Sequence, residues 1–535
     1  MTDASPSPDD RPAPARLVAS LAVVALALGV VIMTHRILAG AVPFQDEGDH
    51  ANTARLLAAG GVMYRDAFNE KGPGLYRITA GLFVLFGEGW SVLRGAALAG
   101  VLASAILIAL LGTRRGKPLA GAFGALIYAA LHAFFFGDVW QSESVLAPIL
   151  LASLWLMTRG DGETYVPVRR FFFAGVALFV ATCVKQTAWM PVLAIFVATL
   201  WPGSGRVGRK DVVALAAGLG LPWLGEAAAF ASVGAWSDFL EGYTFPWRLF
   251  RTSTYVYWPS LDEWFFQLPI WLMVLAAAVE ALRTRTPIPA GDRRLHAAAL
   301  FGAVGLLYPS LFAHHLLPLL AVGAWLFAMA IARYWTERRY VATIAWCVNL
   351  AVFSLSPISS GLFQWERRLD PGEIAARREI VADLVATTAP SDPVFAFPHD
   401  PTYYFDANRQ PPGRYGFLLP WTAPPVVIDR FLREWDARPP AVVIYTYLNN
   451  CTPYGQEPKD FLAPLLDRFD SGWRIERVYE NAVVRLAPDG ATDERDRCRV
   501  RALFHAGIAC GNKNPEWVWE QIDRACPPAA AASAP

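Results

Sequence analysis

Two short polar segments follow the first apolar stretch of the chain: Asp46-Glu47, and Asp66 with Glu70-Lys71 shortly after it. A carboxylate within hydrogen-bond reach can take the proton of an attacking hydroxyl group, and fixed positive charge can stabilise a departing phosphate. We therefore predict group transfer from a lipid-linked phosphate to an acceptor hydroxyl, with Asp46 as the base and Glu47 as a second catalytic carboxylate. Alternatively, this acidic pair caps the following helix, because acidic residues stabilise helix N-termini by about 0.3–1 kcal/mol.

Further polar residues stand at the ends of apolar runs. Asp138 and Glu143 are predicted to form a second acidic site, although they could simply bound a helix. Ionisable groups at membrane depth are costly and usually functional, which favours a role for Lys185. The residues predicted to bind the donor phosphate or another part of the substrate are Asp66, Glu70, Lys71, Lys185, Gln186, Arg248, Arg251, His314 and His315. The less specific interpretations are a solvated ion pair for Glu70-Lys71 and an interfacial position for the two histidines.

The elements that must position these residues are predicted to be membrane helices. Hydrophobic residues make up 54% of the chain, and many apolar runs reach roughly twenty residues, enough to cross a hydrocarbon core about 30 Å thick. The run at 75–86 is too short to span, and we expect it to lie along the interface. About eleven spans are predicted, at 17–38, 91–111, 119–136, 142–157, 171–184, 187–200, 212–232, 264–282, 295–311, 316–332 and 341–355.

The distribution of lysine and arginine predicts the orientation, because these residues accumulate in cytoplasmic loops. When the spans alternate, the basic clusters fall on one side, which puts the N-terminus in the cytoplasm and the predicted site residues on the outer face of a bacterial inner membrane. The runs flanking Lys185 must then form a hairpin with Lys185 at its tip; a single long helix over 171–200 would break the alternation. Ala39-Gly40-Ala41 resembles a signal-peptidase site, but the preceding apolar run is longer than a signal core, so we expect the first helix to remain.

An odd number of spans places the chain after Pro357 in the periplasm. Four cysteines lie there, where an oxidising compartment permits disulfides in any of three pairings; they are Cys451, Cys498, Cys510 and Cys526. Cys183 and Cys347 lie in spans and are expected only to pack. The predicted organisation is a membrane catalytic domain at 1–357 with its first outer loop at 40–90, a periplasmic domain at 358–526 and a disordered tail at 527–535.

The sequence after residue 357 alternates strand-like and helical segments, which indicates a small α/β domain. The strand-like runs cover 393–397, 441–445 and 482–486, and the amphipathic helical stretches cover 372–387 and 426–435. Before this domain, a longer outer loop carrying Arg248 and Arg251 is predicted over 243–263.

The first outer loop resembles that of the GT-C glycosyltransferases. The similarity is greatest to the branch containing dolichyl-phosphate-mannose protein mannosyltransferases and the bacterial aminoarabinose transferase of lipid A, a glycosyltransferase family 39-like pattern. The residues that carry it are Asp46-Glu47, Gly60-Gly61, Tyr64-Arg65-Asp66 and Glu70-Lys71-Gly72-Pro73-Gly74-Leu75-Tyr76.

This resemblance implies a GT-C fold with Asp46 in the essential acidic position and Glu70-Lys71 as the Glu-Lys-Pro element. It also implies that Glu143 or Asp138 is the second acid. The segment His314-His315-Leu-Leu-Pro318 is similar to one that opens a late span in the family, with His315 in place of a tyrosine. The inserted Gly72 argues against aminoarabinose as the substrate.

Together these patterns predict a glycosyltransferase that moves a sugar from a polyprenyl-phosphate donor to a hydroxyl of a lipid, glycan or protein acceptor on the periplasmic side. The family resemblance implies that the transfer inverts the anomeric configuration. A divalent cation held by carboxylates such as Asp46, Glu47 and Asp138 is an open possibility. The net charge of +1 and the scattered arginines argue against nucleic acid as a partner. The alternatives are a transporter or flippase with an extracytoplasmic binding domain, and a membrane scaffold whose tail binds a partner.

Overall fold

A computed structural model of the chain comprises two compact units. The first consists of Met1–Gly40, Ser91–Ala229 and Trp258–Trp365, and the second of Ala41–Trp90, Phe230–Tyr257 and Glu366–Pro535. The structure describes residues 14–161, 163, 165–200, 208–252, 261–282, 290–307, 312–397, 399–419, 422–446, 462–469, 472–480, 483–488, 494–505 and 514–527.

Fifteen α-helices precede the first strand among the described residues, and the first fourteen of them end at Leu369. In chain order, α1 to α14 are Pro14–Leu38, Gln45–Ala58, Pro73–Phe86, Trp90–Arg114, Pro118–Leu131, Ser142–Met157, Val168–Val184, Trp189–Leu200, Arg209–Ser232, Trp236–Thr252, Leu261–Leu282, Ala290–Gly305, Leu317–Thr336 and Tyr340–Leu369. A helix lies at each of the eleven predicted spans, and α3 covers the predicted interfacial run. Six described helices are long and apolar enough to cross a membrane. The mostly helical membrane architecture is therefore confirmed, while the number of crossings stays a prediction.

Glycines allow two helices of the first unit to approach closely. A Cβ atom on Gly218 of α9 would lie 2.0 Å from the carbonyl oxygen of Phe172 in α7, and one on Gly175 would lie 2.2 Å from that of Leu215. Small residues at such contacts let helix backbones pack against each other where apolar burial gives no advantage over lipid.

The chain breaks its helix at Lys185, as the hairpin prediction requires. Helix α7 ends at Val184, Lys185 is extended (φ −146°, ψ 129°), and a 3₁₀ turn at Gln186–Ala188 leads into α8. The alternative of one continuous helix over 171–200 is therefore wrong.

A four-stranded sheet forms the centre of the second unit. Its strands are β1 Val394–Phe397, β2 Val442–Tyr445, β3 Trp473–Val478 and β4 Val484–Pro488. The order is β1-β2-β4-β3, with β1 and β2 parallel and the other pairs antiparallel. The three predicted strand-like runs coincide with β1, β2 and β4. Strand β3 was not predicted, because a bulge between Ile475 and Arg477 interrupts its alternation.

Helices cover both faces of this sheet. Phe395 and Phe397 of β1 pack on Phe431 and other aromatic residues, whereas the alternate residues Val394 and Ala396 pack in a separate cluster with Ile380. The remaining helices, α15 to α20, are Pro371–Thr387, Thr402–Ala407, Pro425–Ala437, Ala463–Phe469, Glu494–His505 and Pro515–Ala525. The predicted α/β domain, with its helices at 372–387 and 426–435, is confirmed.

The predicted domain boundary at 357/358 falls inside α14, and the compact units divide between Trp365 and Glu366. Pro357 does not end this helix. The first outer loop belongs to the same unit as the sheet, because it pairs with the later chain: the Phe68 backbone N–H donates to the Arg414 carbonyl at 2.8 Å.

The predicted loop over 243–263 is wrong in its first part, which belongs to helix α10. Pro246 lies inside this helix, where proline costs about 3 kcal/mol. Aromatic contacts offset the cost: Phe239 stacks on Tyr243 at 5.4 Å, and Phe245 meets the Phe68 ring at 5.1 Å. Residues 253–260 lie outside the described part of the chain.

One disulfide is described, between Cys498 and Cys526, which joins α19 to the end of α20. Of the three pairings that the four cysteines allow, only one joins Cys498 to Cys526. Cys451, Cys510 and most of the predicted disordered tail (528–535) lie outside the described residues. Cys183 of α7 is buried, and Cys347 of α14 is partly buried.

Candidate active site

Helix α2 positions the first acidic pair. Phe44, the residue before the helix, is extended (φ −76°, ψ 145°). Its backbone N–H donates a hydrogen bond to the buried carboxylate of Glu47 at 3.0 Å. Such a reach-back bond satisfies one of the free N–H groups at a helix start. Glu47 therefore caps the helix, as the alternative interpretation of the acidic pair predicted, and its catalytic role stays a prediction. Asp46 contacts a different partner.

Asp46 forms an ion pair with Lys71, which lies two residues before the start of α3. Lys71 Nζ lies 3.0 Å from Asp46 Oδ2 and 3.1 Å from the Nε2 atom of His50. The Asp46 and Lys71 side chains remain 25% and 16% exposed, so a substrate can still reach them. The two polar segments singled out in the sequence thus meet in one cluster.

The surroundings keep Lys71 charged. Burial alone would lower the pKa of its ammonium group, but the carboxylates of Asp46, Glu70 and Asp49 together raise that pKa above the ordinary value. Lys71 is therefore a fixed cation in this cluster, which is the property required of a group that stabilises a leaving phosphate.

Asp49 is a buried carboxyl that the sequence prediction missed. It accepts hydrogen bonds from the Asn69 amide and from the Tyr76 hydroxyl, the latter at 3.3 Å. Burial, opposed by Lys71, raises the pKa of Asp49 to about 7. Its sequence signal was its place one helical turn after Asp46, because residues three apart share a helix face.

Asp66 contacts residues of its own loop. Its carboxylate accepts the Val62 backbone N–H at 2.7 Å and pairs with the neighbouring Arg65 at 3.0 Å. The hydrogen bond from Arg65 lowers the pKa of Asp66. Its predicted substrate-binding role stays a prediction. Arg248 lies exposed on α10, and Arg251 belongs to the same helix, with its side chain outside the described part.

A second polar cluster lies in the first unit and collects three distant segments. Glu143, in the first turn of α6, forms an ion pair with Lys185 and lies 3.8 Å from His315 Nε2. The Ser142 hydroxyl donates to the same carboxylate at 2.8 Å. His314 and His315 share a 3₁₀ turn at Ala313–Leu316, with ring centres 4.3 Å apart. The buried Gln186 follows Lys185 in its own turn.

Asp138 belongs to a different ion pair. Arg94 of α4 donates to the Asp138 carboxylate at 3.3 Å and to its carbonyl at 3.1 Å, and both residues are buried. Breaking such a pair leaves an uncompensated buried charge. Arg94 was missed because a single arginine inside a predicted span gives no local sign of its partner.

Among the described residues, Glu143, His314 and His315 are the group whose ligand atoms could hold a metal ion, all lying within 4.8 Å of one another. Two imidazoles and a carboxylate suit Zn²⁺. The carboxylates considered for a cation in the sequence have other partners: Asp46 contacts Lys71, Glu47 caps α2, and Asp138 contacts Arg94.

Comparison with known proteins adds the family context. Residues 70–224 match the family model described as dolichyl-phosphate-mannose-protein mannosyltransferase. The structure of ArnT from Cupriavidus metallidurans bound to undecaprenyl phosphate superposes with a TM-score of 0.61 at 17% identity, covering 90% of this chain and 99% of that one.

The chain has the GT-C fold. ArnT in the apo state gives a TM-score of 0.57 at 17% identity, covering 88% of this chain and 98% of that one. The archaeal oligosaccharyltransferase AglB from Archaeoglobus fulgidus, in complex with an inhibitory peptide and a dolichol-phosphate, gives 0.52 at 11% identity, covering 89% and 75%. No curated protein matches the chain. The GT-C fold predicted from the first outer loop is confirmed.

Proposed function

We propose that this protein is an inverting glycosyltransferase that moves a sugar from a polyprenyl-phosphate donor to an acceptor hydroxyl. The observation that carries the proposal is the Asp46–Lys71 pair at 3.0 Å, within a chain of GT-C fold. The named structures support the donor class, because ArnT is bound to undecaprenyl phosphate and AglB is in complex with a dolichol-phosphate.

In the proposed reaction, the acceptor oxygen attacks the anomeric carbon while the bond from that carbon to the phosphate oxygen breaks. The phosphate leaves with the bonding electrons, and the hydroxyl proton passes to the Asp46 carboxylate, which acts as general base. Attack from the face opposite the phosphate inverts the anomeric configuration. The leaving phosphate is already a stable anion, so it needs positive charge more than it needs a proton.

Lys71 supplies that charge in the second unit, since its pKa is raised and it sits beside the proposed base. In the first unit, Lys185, His314 and His315 surround the buried Glu143. We propose that this cluster binds an anionic part of the donor or a divalent cation such as Zn²⁺. The acceptor is a lipid, a glycan or a protein that presents a hydroxyl group.

We further propose a bacterial inner membrane as the location, with the N-terminus in the cytoplasm and the sheet-containing unit in the periplasm. The separation of basic clusters from the polar loops supports this orientation. The Cys498–Cys526 disulfide supports an oxidising compartment for the second unit.

The test is transfer by the purified protein in lipid nanodiscs with radiolabelled polyprenyl-phosphate sugars and a membrane fraction as acceptor. We expect labelled acceptor from the wild type and a loss of roughly 10²–10⁴-fold in Asp46→Asn, because the general base is removed. Glu88→Gln, which changes an exposed carboxylate of the same unit, is the matched control and should keep its activity. Translocation of the donor without transfer would instead indicate a transporter, and full activity of Asp46→Asn would remove Asp46 as the base.

A further inference from the structure

A cavity of about 310 Å³ lies within the second unit, beside helix α2. One face of α2 lines it with Asp49, Asn52, Thr53 and Leu56, which follow the spacing of a single helix face. The other walls come from 65–68, from 401–416 and from the end of α17. We propose that this cavity, the α2 cleft, binds a neutral carbohydrate chain as the acceptor.

Four of the six charged residues that line the cleft form ion pairs with one another. Three arginines and three carboxylates contribute to its walls. Arg65 pairs with Asp66 at 3.0 Å, and Arg414 pairs with Glu434 at 3.2 Å. The third arginine, Arg438, donates to the Ser391 carbonyl at 2.7 Å. A phosphate or another multiply charged anion needs several cations, and two of these three arginines are neutralised by carboxylates. A ligand whose groups both donate and accept hydrogen bonds suits these walls better, and hydroxyl groups do both.

Neutral polar groups and apolar surface both line the cleft. Asn52 uses its amide oxygen to accept a hydrogen bond from Arg55 at 2.7 Å, which fixes the side chain. Thr53 and Gln410 add further donors and acceptors, and Phe68 adds an aromatic face. A sugar ring has hydroxyl edges and C–H faces, so it matches walls that combine polar groups with apolar surface.

A peptide fits this cleft less well. Extended peptides are commonly recognised by adding a strand to an exposed sheet edge. None of the described strands β1 to β4 contributes a residue to the lining, so their edges offer no backbone pairing within the cleft.

The cleft connects to the Asp46–Lys71 pair through Asp49. The Asp49 carboxylate accepts a hydrogen bond from Asn69, and the Asn69 side-chain oxygen accepts the Lys71 backbone N–H at 3.2 Å. A chain bound along α2 would thus reach toward the proposed base one helical turn away. Its role as acceptor rests on the proposed function, whereas the binding of carbohydrate does not.

The test is saturation-transfer NMR on the full-length protein in nanodiscs with three neutral probes: maltotetraose, cellotetraose and mannotetraose. Tetra-alanine and glycerol 3-phosphate serve as the peptide and anion probes. We expect at least one oligosaccharide to bind the wild type. Its affinity should fall roughly threefold to tenfold in Gln410→Ala through loss of hydrogen bonding, and further in Thr53→Phe, which fills the cleft. Arg433→Ala changes an exposed residue of α17 outside the lining and should bind as the wild type does.

Three results would overturn the proposal. The first is that no oligosaccharide binds the wild type, and the second is that Gln410→Ala binds the oligosaccharide as tightly as the wild type does. The third is that only the peptide or the anion binds and that Gln410→Ala weakens this binding. Gln410→Ala carries the test if Thr53→Phe fails to fold. Asp46→Asn should still bind the oligosaccharide. If binding is found but no donor supports transfer, the proposed function fails while the carbohydrate site stands.

Discussion

Lys71 Nζ lies 3.0 Å from Asp46 Oδ2, so a residue just before α3 holds the carboxylate of a residue in the first turn of α2. The pair is partly exposed. Each partner needs the other: the carboxylate keeps the ammonium charged, and the ammonium fixes where the carboxylate points.

Substitution of Lys71 should therefore impair turnover. We expect Lys71→Met to lower kcat by roughly 100-fold, the usual effect of removing one group that stabilises developing negative charge. Lys71→Arg keeps the charge and should recover part of the loss. Initial rates of sugar transfer provide the measurement, with Lys117→Met, an exposed lysine of the other unit, as the control. Unchanged turnover in Lys71→Met would exclude this role.

The raised pKa of Asp49 predicts a pH-dependent stability. Folded Asp49 holds its proton up to about pH 7, whereas an unfolded aspartate releases it near pH 4. Between these values the folded chain binds more protons, so the free energy of unfolding falls as the pH rises. Asp49→Asn should remove this fall, which thermal-unfolding midpoints from pH 4 to pH 8 would show. Asp66, whose pKa is lowered, gives the opposite sign: its contribution is lost as the pH falls. A wild type and an Asp49→Asn variant with parallel pH profiles would contradict the prediction.

Gly48 lies at a close approach of α2 to α16. A Cβ atom there would lie 2.3 Å from the Thr402 backbone nitrogen, so Gly48→Ala must push the helices apart. We expect it to destabilise the second unit by about 1–3 kcal/mol, as overpacking does. Gly81 has nothing within 4 Å, and Gly81→Ala should be neutral or stabilising by about 0.5–1 kcal/mol. Chemical denaturation followed by tryptophan fluorescence would compare the two, and equal effects would show that the contact does not matter.

The Cys498–Cys526 disulfide closes a loop with a sequence separation of 28. Removing a link of this length from the unfolded chain should cost about 3–4 kcal/mol of stability. The double variant Cys498→Ser, Cys526→Ser should therefore unfold at a lower temperature, and dithiothreitol should shift the wild type by the same amount. Cys347→Ser alters a free thiol and should leave the midpoint unchanged. Insensitivity of the wild type to the reductant would argue that the bond is absent in the mature protein.

The helices were predictable where their signal is local. Each apolar run long enough to span contains its own evidence, and the break at Lys185 followed from the basic loops on either side. The meeting of Asp46 with Lys71, and of Glu143 with Lys185, was suggested only through the family resemblance and the assumed topology, because nothing in a short window reports a partner many residues away.

What escaped prediction depends on tertiary contacts. In the sequence Asp49 is one of several charged residues of a polar helix, and only the fold brings Asn69 and Tyr76 into contact with it. In the sequence Arg94 is a single charge inside a predicted span, and only the fold pairs it with Asp138. Helix α10 contains a proline, and the aromatic contacts that offset its cost reach as far as Phe68. These partners are fixed by the fold and not by sequence spacing.

Helix α2 depends on a part of the chain that is made much later. The Arg55 guanidinium donates hydrogen bonds to the carbonyls of Tyr404, Phe405 and Arg409, at 3.0, 3.2 and 3.2 Å, across about 350 residues of sequence. At a synthesis rate of about 5–20 residues per second, roughly 20–70 s separate the emergence of Arg55 from that of its acceptors. During this interval the helix that carries Asp46 lacks the hydrogen bonds from Arg55 to these carbonyls. Folding around α2 is therefore completed only after the last third of the chain is made, and a chain that stops before residue 404 would leave the Arg55 guanidinium without the carbonyls that it binds in the finished protein.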